Sequence, residues 1–432
     1  MTTGTRAIAR NLSWMLASRG VMAVLSLAYL AIVTRTLGVS DFGRFALIIG
    51  ASQALTALVS FQTWQIIVQY GTRAAETGNQ QRLARLVRAC LLLDAGSAFI
   101  GILLAAIAIY QWGDALGVRP VHARATLLFS IAQLLSIRST PLGILRMRDR
   151  FSLAAIADSM TPIVRLVGAA LAVFVKPTVS GFLVAWGAAE ILTAAAYWYF
   201  LGKTGDFALL RGKTSLKSVI RDHPGLLRFA LSTNANLTLG LTSKQVPLLM
   251  VGGAVGSASA GAFRLALQLA QALTKFSQLV ARAAFPEIVR ALGTDGMHRI
   301  GGLLGRSLLM TGTIAVLVFV VVVFAGKSAL VLLGGPEFAR AYPSLVCLAA
   351  AGCIDLLTAG FEPLLTAAQR AGLTFVIRLL AAVMLFVTAF LLVGSMGVLG
   401  ISLAVLVNAV MVAALLGIAT IHLLRTSKKL AE

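Results

Sequence analysis

Long apolar runs alternate with short polar knots along the whole chain, and the first knot reads TRTLGVSDFGRFALIIG over residues 34–50. A bilayer core ~30 Å thick needs roughly 20 apolar residues to be crossed by a helix. Runs of that length predict helices at 11–34, 45–68, 89–110, 125–145, 152–175, 180–201, 227–251, 262–285, 306–326, 343–368, 373–393 and 398–424. The expected fold class is therefore an all-α polytopic membrane protein with about 12 transmembrane helices. The first run has the outline of a secretory leader. It extends to Thr34, contains Arg19 and lacks a small-residue cleavage site, so it is read as the first spanning helix.

The pattern also repeats. Gly38, Gly43, Phe45, Leu47 and Gln53-Ala54-Leu55-Thr56 recur as Gly256, Gly261, Phe263, Leu265 and Gln271-Ala272-Leu273-Thr274, all at an offset of 218 residues. Arg88 falls on Arg306 at the same offset, and Leu145, Arg150 and Leu153 fall on Leu365, Arg370 and Leu373 at an offset of 220. An even number of helices per copy gives both copies one orientation. The expectation is two parallel-repeat six-helix lobes around a central cavity, with the site between them. The basic stretch GKTGDFALLRGKTSLKSVIRDHPG, residues 202–225, lies at mid-chain. The predicted division is an N-lobe over 1–205, a basic cytoplasmic linker over 206–225 and a C-lobe over 226–432.

Charge refines this picture. Only 12% of the 432 residues are charged, against about 25% in soluble domains. Lys and Arg total 37 against 15 Asp and Glu. Most of the inter-helix cations fall on the termini and the even-numbered connections, which predicts that both termini are cytoplasmic. The excess is thus topology, and a nucleic-acid partner is excluded. Cys90, Cys347 and Cys353 lie in or near apolar segments, and the four histidines are scattered, so neither a disulfide framework nor a metal site is expected. No Walker motif occurs, and no cofactor is expected.

Polar residues at bilayer depth usually mark function, because each ionisable group there costs at least ~2.5 kcal/mol. In the eighth segment Arg264, Gln268, Gln271, Lys275, Gln278 and Arg282 follow one another at steps of 4, 3, 4, 3 and 4, which keeps them on one helical face. That face runs ~27 Å at 1.5 Å per residue, too far for interfacial snorkelling alone to explain. Its repeat partner, the second segment, carries Gln53, Thr56, Ser60 and Thr63. The seventh adds Asn234, Thr238, Thr242 and Gln245, with Lys244 beside them. Arg19 and Arg138 lie about two turns inside their segments, and Arg165 shares a face with Thr161 and Asp158. An internal Arg165–Asp158 pairing is the structural alternative there.

The embedded acids are fewer: Asp94, Asp158, Glu190, Asp355 and Glu362. A carboxylate in apolar surroundings takes up a proton more readily than in water. Asp355, Glu362, Asp158 and Glu190 are accordingly candidates for ion coupling, or for partnering the excess cations. A basic cavity suits an anionic cargo such as pyrophosphate, which Arg and Lys bind well.

TRTLGVSDFGRFAL resembles the first inter-helix motif of the polysaccharide flippases of the multidrug/oligosaccharidyl-lipid/polysaccharide superfamily, through Thr34, Arg35, Leu37, Gly38, Gly43, Ala46 and Leu47. GILRMRDRFSLAAIADSM, residues 143–160, resembles their basic turn between helices 4 and 5. The second copy, GSASAGAFRLAL, has lost the aromatic-Gly pattern, so the motif transfers to the first lobe alone. The resemblance implies a transporter of the bacterial inner membrane, not an enzyme, whose cargo is an oligosaccharide linked through pyrophosphate to a polyprenyl lipid. It implies alternating access, with the lipid bilayer and other polysaccharide-assembly proteins as partners. Arg19, Lys244, Arg264, Lys275, Arg282 and Arg165 would then attract the pyrophosphate, and Gln53, Asn234, Gln268, Gln271 and Gln278 would meet sugar hydroxyls. The rival readings are a lipid-linked peptidoglycan precursor flippase, a drug/cation exporter of the same superfamily and a membrane polysaccharide polymerase or ligase. The exporter predicts an acidic cavity. The enzyme predicts a large outer loop, whereas the longest outer loops, about 111–124 and 327–342, are short.

Overall fold

The computed structural model describes residues 3–112, 120–292, 300–358, 360–361, 364–365 and 371–429. Within its helices the side chains of 3–21, 23, 112, 120–122, 236–237, 241–243, 275–292, 300–307, 371 and 424–429 lie outside that description. Every regular element among the described residues is helical. The order is α1 (Thr3–Val59), α2 (Thr63–Ile66), α3 (Thr72–Glu76), α4 (Gln80–Trp112), α5 (Pro120–Leu135), α6 (Ser139–Met147), α7 (Phe151–Val175), α8 (Val179–Lys203), α9 (Leu216–Asp222), α10 (Leu226–Ala254), α11 (Ser257–Leu292), α12 (Ile300–Gly334), α13 (Tyr342–Thr358) and α14 (Ala371–Lys429). A π-turn, Ile67–Gly71, joins α2 to α3.

The chain divides into two compact units. One comprises residues 28–37 and 44–249; the other comprises 1–27, 38–43 and 250–432. Large apolar side chains such as Phe174, at 88% exposure, and Phe324, at 82%, face outward, as they do on a lipid-bathed surface.

The first polar knot is tighter than a loop. Helix α1 runs through it with a single non-helical residue, Gly38 (φ 69°), whose left-handed backbone suits glycine. Its repeat equivalent Gly256 also has positive φ, 111°. Gly43 and Gly261 serve a different end. A Cβ on Gly43 would strike the carbonyl of Ser257, and one on Gly261 would strike the carbonyl of Val39. Val39 and Ser257 are themselves 218 apart, so the repeat makes reciprocal backbone contacts within the second unit. α14 likewise passes two segments through one glycine, Gly397 (φ 56°).

In the first unit two helices expected to be continuous are broken. The second segment opens at Ser60–Gln62, between α1 and α2, and the fourth opens at Ser136–Arg138, between α5 and α6. Pro141 explains the second break. Proline has no N–H to offer the carbonyl four residues earlier, and that carbonyl, Ile137 O, instead accepts Trp198 Nε1 at 2.8 Å.

The basic linker is docked. Arg85 Nη2 meets Asp222 Oδ2 at 3.1 Å, Arg148 Nη2 meets Asp206 Oδ1 at 3.4 Å, and Arg88 Nη1 donates to Arg211 O at 2.6 Å. Arg82 Nη2 also donates to Asp222 O. Part of α10 joins this unit through Asn234 Nδ2 to Ser60 O (2.6 Å), Thr238 Oγ1 to Ala57 O (3.1 Å) and Gln245 Nε2 to Gln53 Oε1 (2.8 Å).

Candidate functional site

A polar seam of the first unit is built by α7 and α8. Asp158, Thr161 and Arg165 are spaced 3 and 4 apart, as are Glu190, Thr193 and Tyr197, so each set lies on one helix face. Antiparallel packing turns the two faces into a ladder. Tyr197 Oη donates to Asp158 Oδ1 at 2.7 Å, the Thr161 and Thr193 hydroxyls meet at 2.8 Å, and Arg165 Nη2 meets Glu190 Oε1 at 2.5 Å. Arg165 therefore takes its carboxylate from the neighbouring helix. Asp158, the alternative partner within α7, belongs to another rung. Two turns of one helix separate Asp158 from Arg165, whereas a facing helix presents a carboxylate directly.

Glu190 is shared. Its other oxygen lies 3.1 Å from Arg138 Nη1. The Glu190 side chain is 3% exposed, against 22% for Arg165 and 40% for Arg138. The Arg165 guanidinium also stacks on Trp186, 3.6 Å from the ring centroid. Tyr29 and Phe45 hold that indole edge-on at 5.7 and 5.8 Å.

A second constellation sits at the helix breaks. Each new helix start leaves N–H groups without intrahelical partners. Thr140 N and Thr140 Oγ1 both donate to Asp94 Oδ2, at 3.2 and 2.6 Å, and Thr63 Oγ1 donates to Asp94 Oδ1 at 2.9 Å. Trp64 N donates to Ser139 Oγ at 3.1 Å. One carboxylate on α4 thus fastens both starts. Beside it lies a cavity of about 260 Å³ that includes Ser60, Gln62, Asp94, Gln133, Arg138 and Glu190 in its lining. Irregular backbone at membrane depth is tolerated where it lines such a space.

The structure places the remaining predicted residues as follows. Gln53 and Asn234 are engaged within the first unit, with Gln245 and the Ser60 carbonyl. Lys244, on α10, is exposed. Arg264, Gln268 and Gln271 lie half-buried on α11, and Gln268 Oε1 is buried with no hydrogen-bond partner among the described residues. Asp158 and Asp355 are exposed. The side chains of Arg19, Lys275, Gln278 and Arg282, and the whole of Glu362, lie outside the described residues. Arg138 and Asp94 have roles that spacing alone did not assign. The available signals were Pro141 two residues after Ser139 and the polar pairs Ser60/Gln62 and Ser136/Arg138 inside apolar runs.

Three comparisons bear on kinship. The chain is 28% identical over 340 residues to the inner membrane protein YghQ of Escherichia coli (strain K12), covering 78% of this chain and 95% of that one. It superposes on an inward-facing multidrug resistance MATE family transporter of the MOP superfamily with a TM-score of 0.75, at 13% identity, over 94% of this chain and 96% of that one. It superposes on the lipid II flippase MurJ in an inward closed conformation with a TM-score of 0.73, at 13% identity, over 93% and 86%. These likenesses show a shared all-helical, two-lobe fold. Residues 8–292 match the family described as polysaccharide biosynthesis protein, about two thirds of the chain. The chain therefore belongs to the polysaccharide biosynthesis protein family.

Proposed function

We propose that this protein is a flippase that moves a polyprenyl-pyrophosphate-linked oligosaccharide across the bacterial inner membrane by alternating access. The observation that carries this reading is α11. It is an unbroken 36-residue helix, Ser257–Leu292, on which Arg264, Gln268 and Gln271 lie half-buried, and the 4, 3, 4, 3, 4 spacing in the sequence continues that series to Lys275, Gln278 and Arg282. A stripe mixing cations and amides suits a headgroup that combines pyrophosphate with sugar hydroxyls. Arg264, Lys275 and Arg282 would attract the pyrophosphate, as would Arg19 and Lys244. Arg165, neutralised by Glu190 in the first unit, contributes through its structure. Membership of the family, an inner-membrane relative and a lipid II flippase of the same fold support a lipid-linked cargo. Both termini are proposed to be cytoplasmic, with the N-lobe ending at 205 and the C-lobe starting at 226. Asp355 and Glu362 are the proposed ion-coupling acids.

The test is replacement of Arg264 by Gln, and of Lys275 by Ala, in a strain whose surface polysaccharide depends on this protein. Surface polysaccharide should be lost and lipid-linked repeat units should accumulate on the inner leaflet. Normal polysaccharide at equal protein level would remove the cationic stripe from the mechanism.

A further inference from the structure

The cavity at the two helix breaks differs in chemistry from the α11 stripe. Its lining includes three charged residues: Arg138, Asp94 and Glu190. With Arg165, which shares Glu190, the charges at this place sum to zero, so the cavity offers a pyrophosphate no net attraction. A bound cation fares no better, because both carboxylates are already occupied. Thr63 and Thr140 aim four donor contacts of 2.6–3.2 Å at Asp94. Glu190 holds Arg165 on one oxygen, at 2.5 Å, and Arg138 on the other, at 3.1 Å. Among the described residues no group of three or more His, Cys, Asp or Glu could hold a metal.

Apart from Glu190 Oε2, which faces the Arg138 guanidinium at 3.1 Å without a hydrogen bond, the hydrogen-bonding capacity left over is neutral. Gln133 Oε1 is buried without a partner. Gln62 uses its Oε1 to accept Trp64 Nε1 at 2.8 Å, which leaves its amide N–H₂ as donor. The Ser60 and Ser139 hydroxyls join them on the wall, with Phe61 and Leu142 as apolar neighbours. Paired donors and acceptors beside apolar surface match the alternating hydroxyls and C–H faces of a sugar. At about 260 Å³ the space lies below the ~300–1,000 Å³ of sites for drug-sized ligands. It suits one pyranose ring, not a whole oligosaccharide.

We propose that this cavity, formed where two membrane helices break around Asp94, binds one uncharged pyranose residue of the cargo and selects against charged groups at that position. The inference rests on the flippase reading and extends it by assigning a neutral sugar position within the first unit.

The test uses the purified full-length protein in detergent, titrated with glucose and with N-acetylglucosamine by calorimetry, with and without inorganic pyrophosphate. At least one sugar should bind saturably. Its affinity should fall roughly three- to tenfold in Gln133→Leu, as expected for one lost neutral hydrogen bond, with Ser60→Ala as a second, smaller perturbation. Arg264→Gln should leave sugar binding unchanged, and pyrophosphate should not compete. Absence of saturable binding, equal affinity in Gln133→Leu and Ser60→Ala, or competition by pyrophosphate would each overturn the proposal. The two readings separate in cells. Polysaccharide export lost in Arg264→Gln but normal in Gln133→Leu sinks the sugar subsite alone. Export normal in both sinks the flippase assignment to these residues.

Discussion

Replacing Glu190 by Gln keeps the shape of the side chain and removes its charge. In the native protein this carboxylate is 3% exposed and pairs with two guanidiniums. The Arg165 contact is short, 2.5 Å, and that arginine is mostly enclosed, at 22% exposure. Losing the counterion of a buried pair typically costs about 3–5 kcal/mol, because the remaining charge has no compensation. Arg138 is 40% exposed, so water screens it and its share is at most ~1 kcal/mol. The expected cost of Glu190→Gln is thus about 4 kcal/mol. At ~2–4 °C per kcal/mol for a unit of this size, the melting temperature should fall by roughly 10 °C. The assay is thermal unfolding of the purified protein in detergent, followed by tryptophan fluorescence. Two controls isolate the cause. Arg138→Gln should shift the melt by only a few degrees. The double change Glu190→Leu with Arg165→Met leaves no buried charge and should recover most of the loss. If Glu190→Gln melts within ~2 °C of the native protein, or the double change melts lower than the single one, the charge argument is wrong.

Three further outcomes are expected. Gly43→Ala forces a Cβ against the Ser257 carbonyl, where no flexible side chain can yield; it should destabilise by about 1–3 kcal/mol, seen as a lower melting temperature, and Gly261→Ala should do the same through Val39. Asp94→Leu strands the donors of Thr63 and Thr140 inside the bundle and should cost about 3 kcal/mol or more, with faster amide exchange at the starts of α2 and α6 as the specific signature. His223 is buried at 4% exposure in the linker, its Nδ1 3.1 Å from Val219 O, and burial, with Arg82 and Arg85 nearby, holds its pKa below the usual 6.5. The folded chain keeps it neutral, so its contribution is complete above ~6.5 and is lost as pH falls from there towards the lower folded value. Proteolysis of the linker should therefore quicken as pH falls below about 6.5, and His223→Phe should flatten that dependence.

Much of the architecture followed from hydrophobic length and repetition. Twenty-residue apolar runs have few alternatives in a bilayer, because backbone groups must be satisfied within the segment. The offset of 218 then carried two different glycine roles onto each other: positive φ at Gly38 and Gly256, close backbone approach at Gly43 and Gly261. Spacing alone also placed Asp158, Thr161 and Arg165 on one face. It could not say which face they meet, since that depends on how α8 packs antiparallel to α7. The tertiary structure chose Glu190 for Arg165 and Tyr197 for Asp158. The helix breaks were hidden for a related reason. Pro141 announces a missing hydrogen bond, but the carbonyl it frees is rescued by Trp198, some sixty residues away, and the new helix starts by Asp94, on a third helix. Local sequence determines where helices can form and which sides are polar. Only packing decides which distant donor or carboxylate answers each exposed backbone group and buried charge.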